Sequence, residues 1–421
     1  MTDVRRLDDA ELDAFLTIVD GAYPTFATHS PDERARTLER WRTQIATDPT
    51  VGFYGAFRDG RLLGGMKLYD FTMNAFGAQV PAGGVGLVAV DLYAKKQRVA
   101  RDMIAMSLRH YRERGAPFAA LYPFRPDFYK QMGFGYGTKV NEYRVRPADL
   151  PAGDRSGVAP LSTADAPALA ACYARIQARS HGLMQRTEAQ FARVLAGDEW
   201  RFAGIWREGA LAGYLEFQFK SAGIADNFSA NDLIAAELLY ETPAVLRGLL
   251  AFLYSQSDQA RFVVFRNQDE HFSDLFADPR RGGSGEVIPH VVFAHVTNTQ
   301  GAGIMYRVLD TAAAFRALAE HDFGGQTLRL KITVRDDFLP ANDGAVVVVF
   351  DGGRAEVAAD DATFDAEIAL PVAEFSSLLL GVVPFVSLYR HGIATLSDLA
   401  RLDAINRLFR AAEPPICLTG F

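Results

Sequence analysis

At 421 residues, 49% hydrophobic and 23% charged, the chain is too long for one hydrophobic core and too apolar for extended disorder, so two or three domains are expected. Its 44 Lys and Arg against 51 Asp and Glu leave a net charge of −7, which argues against nucleic acid or an anionic membrane as the main partner. Two cysteines, Cys172 and Cys417, cannot build a disulfide framework or a multi-cysteine zinc site, and the charged N-terminus and lack of an 18-residue apolar run point to a reduced, cytoplasmic setting.

Helix-like sequence runs from about Asp8 to Thr47. Within it Asp20, Tyr23 and Trp41 can line a pocket for a cationic amine or serve as ordinary surface and core residues. A hairpin follows in FYGAFRDGRLLGG, where Asp59-Gly60 supplies the positive φ of a tight turn. Next comes a strand containing Val88-Ala89-Val90, a turn Lys95-Lys96-Gln97-Arg98-Val99-Ala100-Arg101, and an amphipathic helix to about Arg114. A strand feeding a basic turn and a helix N-terminus is suited to a pyrophosphate, because free backbone N–H groups, the helix dipole and cationic side chains converge there. The strand-like Ala119–Phe124 and a short helix and turn over Asp127–Phe134 complete the segment.

The connector Pro147-Ala-Asp-Leu-Pro151-Ala-Gly-Asp predicts a boundary near residue 150. Beyond it the pattern repeats: helix-like sequence from about Ala164 to Ala196, then FAGIWREGALAGY with Phe202, Gly204, Trp206, Gly209 and Gly213 at the spacing of Phe53, Gly55, Phe57, Gly60 and Gly64. The same offset sets Glu237-Leu238-Leu239 against Val88-Ala89-Val90, and Thr242-Pro243-Ala244-Val245-Leu246 carries no basic cluster, so no cofactor is expected in this copy. A polar, Gly-rich stretch and a strand-like run Val287–Val296 lead to a second boundary near 300.

The last part reads as a small α/β domain. It has a helix around Thr311–Glu320, strands around Thr327–Val334, Ala345–Phe350 and Ala355–Ala358, and helix starts at Leu370–Phe375 and Thr395–Leu399. The ending Pro414-Pro415-Ile416-Cys417-Leu418-Thr419-Gly420-Phe421 has rigid prolines and no charged tail, which suits a terminus tucked inside. The eight histidines show no HExxH or paired metal spacing, so no metal is expected, and Cys417 reads as a small buried hydrophobe.

On the strand, turn and helix at 88–114, the FYKQMGFGYG segment, the duplication, Met305-Tyr306-Arg307-Val308-Leu309-Asp310 and Asp337-Phe338-Leu339-Pro340, the sequence resembles the GNAT superfamily of N-acetyltransferases. Within it the resemblance is to the three-domain subfamily typified by the mycobacterial enhanced intracellular survival protein. It implies two tandem GNAT-type domains (1–150 and 151–299) and a sterol carrier protein-like domain (300–421), a mixed α/β chain that transfers acetyl from acetyl-CoA to a primary amine and assembles as a homo-oligomer. By the same resemblance the pantetheine pairs with Val88, Ala89 and Val90, the pyrophosphate sits on Lys95, Lys96, Gln97, Arg98, Val99, Ala100 and Arg101, and Phe124 and Arg125 contact the cofactor. Tyr129 would be the general acid and the Phe421 terminal carboxylate the general base. One departure is Arg98, where the family usually has glycine. The side chain can point outwards, pair with a phosphate, or block the site, and the last case would leave a degenerate acyl-CoA-binding or assembly protein.

Overall fold

The two repeated hairpins turn through residue pairs that both hold positive φ, Asp59 (52°) with Gly60 (75°) and Glu208 (51°) with Gly209 (81°). That is the condition for a tight turn whose twist matches the paired strands. The computed structural model describes residues 2–223, 230–359 and 362–421. They form two compact units, one made of the chain up to residue 137 together with 303–421, the other of 138–302.

The first unit opens with strand β1 (Asp3–Arg6), helices α1 (Leu12–Ala22) and α2 (Pro31–Thr47), and the antiparallel strands β2 (Val51–Arg58), β3 (Arg61–Ala75) and β4 (Ala78–Val90). Helix α3 (Val99–Glu113) then crosses over to β5 (Phe118–Leu121), parallel to β4, and α4 (Pro126–Lys130) and β6 (Gly135–Tyr136) follow. One stripe of α3, Val99, Met103, Ile104, Leu108 and Tyr111, is buried on the sheet against Val85, Ala119 and Leu121. The opposite face is covered by α1 and α2 through Phe15, Leu16 and Trp41, which pack on Phe53.

The second unit repeats the plan. Its elements are β7 (Val140–Val145), β8 (Val158–Pro160), α5 (Ala166–Gln177), α6 (Glu188–Leu195), β9 (Arg201–Arg207), β10 (Ala210–Ser221), β11 (Asn231–Tyr240), α7 (Pro243–Tyr254) and β12 (Ala260–Asn267). Residues 140–145, which a boundary at 150 leaves with the first domain, pair instead with β12 in this sheet. The run 287–296 is not one strand. Pro289 lacks a ladder donor and Val291 holds a φ of 52°, so the chain folds into a small hairpin of β13 (Val287–Ile288) and β14 (Ala294–His295). Strand β15 (Asn298–Gly301) closes the sheet beside β7.

The chain then returns to the first unit. Strand β16 (Met305–Val308) inserts between β5 and β6, completing the order β1-β2-β3-β4-β5-β16-β6. Helix α8 (Thr311–Ala317) and the strands β17 (Leu328–Arg335), β18 (Gly344–Asp351), β19 (Arg354–Val357) and β20 (Ala366–Pro371) follow, with α9 (Val372–Leu379) and α10 (Phe385–Arg390) after them. The expected helix start at Thr395 is instead a short edge strand, β21 (Thr395–Leu396), paired with β20. Asp398 is the capping residue, its side chain accepting from Ala400 N. Residues ahead of a cap are extended, so helix begins only after it, leading into α11 (Leu402–Leu408). Among the described residues no helix is long and apolar enough to cross a membrane.

Candidate active site

Strand β4 carries the site because it cannot keep both neighbours. It pairs with β5 only over Ala82–Val85, and against β3 its register jumps, so that Leu87 and Val88 together oppose Met66. Leu87 takes a φ of 48° at this bulge, which bends the strand and splays its last residues from β5. Tyr23, at the end of α1, donates its hydroxyl to Val88 O at 2.7 Å. Ala89 is fully buried, with its carbonyl 2.7 Å from where a side chain on Gly64 would begin. Of the three ambiguous residues in the N-terminal helices, only Tyr23 reaches the bend. Asp20 is engaged by Thr28 and Arg34, and Trp41 is core.

Beyond the bend the chain is held by side chains. Asp91 accepts from Tyr93 N at 2.9 Å and pairs with Arg61 at 2.5 Å, while Gln97 receives Arg58 at 2.9 Å and donates to Tyr93 O at 3.2 Å. Lys96 and Arg98 both adopt left-handed backbone, φ 63° and 64°, at a cost of roughly 1–2 kcal/mol for each non-glycine residue. Arg98 is the N-cap of α3 and makes no side-chain cap, so the first amides of the helix lack a protein cap. Lys95, Lys96, Gln97 and Arg98 are exposed around that end, Val99 is core and Ala100 half-buried. Arg101 is set apart, its guanidinium lying over the Phe338 ring at 5.3 Å.

The other expected residues fall into two groups. Phe124 is 73% exposed and meets the Tyr23 ring edge-on at 5.8 Å. Arg125 stands at the N-cap position of α4 and pairs with Asp127 at 2.5 Å. Tyr129, on α4, is 6% exposed and shares a core with Val85, Val88, Val90 and Val99. Burial, and secondarily the nearby Tyr23, pushes its phenol well above the ordinary tyrosine range, which keeps it protonated at neutral pH.

The end of the chain comes to the same bend. The Phe421 ring packs against Phe71 (4.9 Å), Tyr122 (5.3 Å) and Tyr69 (5.6 Å). Its carboxyl carbon lies 2.7 Å from where a Cβ on residue 86 would stand, so only glycine admits it. Tyr122 donates to Cys417 O at 3.4 Å, and Cys417 and Thr419 are buried. Tyr23, Tyr69, Phe71, Tyr122 and Gly86 escape a motif-based reading, although the run Gly83-Gly84-Val85-Gly86 inside a strand is itself a mark of close approach. Lys67, on β3 opposite Gly86, lies over Phe53 (4.5 Å) and Trp41 (5.3 Å), and burial lowers its ammonium to about 8. Among the described residues no group of three or more His, Cys, Asp or Glu is placed to hold a metal.

The chain is similar to known proteins. An acetyltransferase (GNAT) domain model matches residues 3–137, a second acetyltransferase (GNAT) domain model matches 182–308, and a sterol carrier protein domain model matches 314–418. An uncharacterized N-acetyltransferase of Streptomyces coelicolor is 27% identical over 379 residues, 85% of each chain. N-acetyltransferase Eis of Mycobacterium tuberculosis is 31% identical over 125 residues, 28% of this chain and 31% of that one. The crystal structure of Eis1 from Mycobacterium abscessus has the same fold, with a TM-score of 0.76 at 20% identity over 100% of both chains.

Proposed function

The chain is an acetyltransferase with two GNAT domains and a sterol carrier protein domain, and from that premise we propose that it transfers acetyl from acetyl-CoA directly to a primary amine, with Tyr129 as general acid and the Phe421 carboxylate as general base. The observation that carries the proposal is the placement of the chain's terminal carboxyl at Gly86, beside the bend of β4. When bound, acetyl-CoA supplies an activated acetyl thioester. The uncapped start of α3, flanked by Lys95, Lys96 and Arg98, fits its pyrophosphate, and the bend at Val88, Ala89 and Val90 fits the pantetheine. Phe124 and Arg125 stand at the rim, and Arg101 contributes charge to the turn from its place over Phe338.

The Phe421 carboxylate accepts a proton from the attacking amine, directly or through water, so that a neutral nucleophile forms where it is used. Tyr129, held protonated by burial, donates to the departing sulfur. No nucleophile of the enzyme is needed, and the two cysteines are buried. Arg98 supports catalysis over the degenerate acyl-CoA-binding alternative. Its backbone is left-handed, as glycine's would be, and its side chain is exposed, so the amides stay approachable. We also read the chain as cytoplasmic and as a homo-oligomer. The second reading is supported by the hairpin around β13 and β14, where Val291 is 99%, Val292 76% and Phe293 57% exposed.

The deciding experiment is acetyl transfer from acetyl-CoA to a panel of primary amines, followed by thiol release and product mass, with the protein as it stands and with a short peptide appended after Phe421. The extended protein is expected to bind acetyl-CoA with unchanged Kd and to lose transfer. Equal rates for the two proteins would remove Phe421 from the mechanism, and binding without transfer to any amine by the unextended protein would favour the acyl-CoA-binding alternative.

A further inference from the structure

Helix α4 has five residues, too few for its own hydrogen bonds to hold it in place. It is fixed from outside, by the segment after residue 303. Just after Tyr129, Lys130 Nζ pairs with Glu374 Oε1 of α9 at 2.9 Å. Two residues further on, Arg307 of β16 donates its Nε–H to Met132 O at 2.9 Å, and Met132 N donates in turn to Tyr129 O at 2.9 Å. Phe134 N donates to the same Tyr129 carbonyl at 3.2 Å. Between them Gly133 holds a φ of 84°, and Arg307 Cζ lies 2.6 Å from where its Cβ would stand, so the guanidinium rests directly on the turn.

Arg307 and Asp336 are 0% exposed and meet at 2.7 Å. Each guanidinium nitrogen is engaged: Nε to Met132 O, one terminal nitrogen to Val308 O at 2.9 Å, the other to Asp336 Oδ1. Asp336 is oriented by Leu339 N at 2.9 Å and Asn342 Nδ2 at 3.1 Å. Burying such a pair is poor value for stability, since apolar residues of similar volume serve as well or better. A planar fork, however, can tie three groups into one geometry, which no apolar side chain can do. We propose that Arg307, oriented by Asp336, is a positioning residue for Tyr129, so that the segment after residue 303 sets the placement of the acid as well as supplying the base. This rests on the reading of Tyr129 as general acid.

The test is a double-mutant cycle on the full chain, with Arg307→Lys made alone and in a Tyr129→Phe background. Lysine keeps a charge beside Asp336 but lacks the Nε donor. In the Tyr129 protein kcat is expected to fall on the order of ten- to a hundredfold, with the acetyl-CoA KM unchanged, as for a displaced catalytic group. In the Tyr129→Phe protein the same change should alter kcat by less than about twofold, because the group it acts through is gone. An equal loss in both backgrounds, or a rise in KM in step with the fall in kcat, overturns the proposal. Tyr129→Phe alone reports on the acid: full kcat there overturns that reading, and this one with it, which the cycle distinguishes from a loss independent of Tyr129. Should Arg307→Lys not fold, Asp336→Asn, which removes the charge that orients Arg307, carries the same cycle. The expected result is a kcat loss of about threefold confined to the Tyr129 background, and no loss overturns the proposal.

Discussion

The two GNAT regions share their hairpins, their parallel crossover, and the bulge and early parting of the strand after the hairpin, yet they join that strand to the next helix in opposite ways. In the first, residues 91–98 separate β4 from α3, and the helix begins at a left-handed residue with no side-chain cap. In the second, only residues 241 and 242 separate β11 from α7. There Thr242 caps its own helix by accepting from Val245 N, and Pro243 has no N–H to offer. Where the first region has Val88, the second has a buried Glu237, which receives two bonds from Arg186, at 2.9 and 3.1 Å, and one from the Tyr214 hydroxyl. The Arg186 guanidinium also lies over the Tyr173 ring at 4.7 Å. One helix therefore starts without a side-chain cap after a long turn, and the other is capped by its own threonine beside a buried ion pair. The lesson is that duplication of a hairpin carries the fold, while chemistry depends on the few residues between strand and helix.

Breaking this contrast at its strongest point gives the largest effect. Tyr129→Phe is expected to lower kcat on the order of 10²–10⁴-fold without weakening acetyl-CoA, whereas Tyr214→Phe in the second region should leave kcat alone. Single-turnover rates would check both, and comparable losses would erase the distinction. Next in size, Arg186→Met leaves Glu237 buried without its cation and should cost roughly 3–5 kcal/mol of unfolding free energy in a denaturant titration. Acetyl-CoA affinity should be untouched, and a matching fall in it would place a ligand site in the second region.

A smaller effect sharpens the comparison through pH. Glu216, opposite Glu237, has its carboxyl raised to about 7, first by burial and then by the charge of Glu237. Because the folded value lies above the unfolded one, the associated stability is full below the ordinary carboxylate range and is lost as pH rises through about 7. Glu216→Gln should remove that loss and raise stability at pH 8 by about 1–2 kcal/mol, after discounting for partial exposure, with no gain at pH 4. A pH-independent difference in Tm would contradict it. Smallest of all, Arg98→Gly should raise stability by about 0.5 kcal/mol, the relief of left-handed strain less the entropy of glycine. It should also weaken acetyl-CoA about threefold, as loss of one exposed phosphate contact would. Tighter binding, measured by calorimetry, would instead mark Arg98 as an obstruction.

Much of this was legible in the residues. The repeated Phe and Gly spacing and the acidic–glycine turns encode hairpins locally, and the mixed α/β order of elements follows from periodicity. The placement of β16 was not legible, because a four-residue strand pairing with residues far back in the chain leaves no local trace. Thr395–Leu399 was misread because a capping aspartate three residues after Thr395 hides an edge strand before it. The bend at Leu87 depends on a non-glycine residue at positive φ, which nothing in its side chain announces. Tyr23 was noticed but not assigned, since its contact with Val88 joins elements far apart in sequence.

Strand β16 also sets an order of events during synthesis. The second unit is a single uninterrupted stretch, 138–302, and can fold as soon as it has emerged. The first sheet cannot close at that stage, because the place between β5 and β6 is filled only when Met305–Val308 arrives. Until then β5 and β6 present unpaired edges, and closing them requires joining the ends of a very long loop. The unit whose first strands are made earliest is thus the one that finishes last.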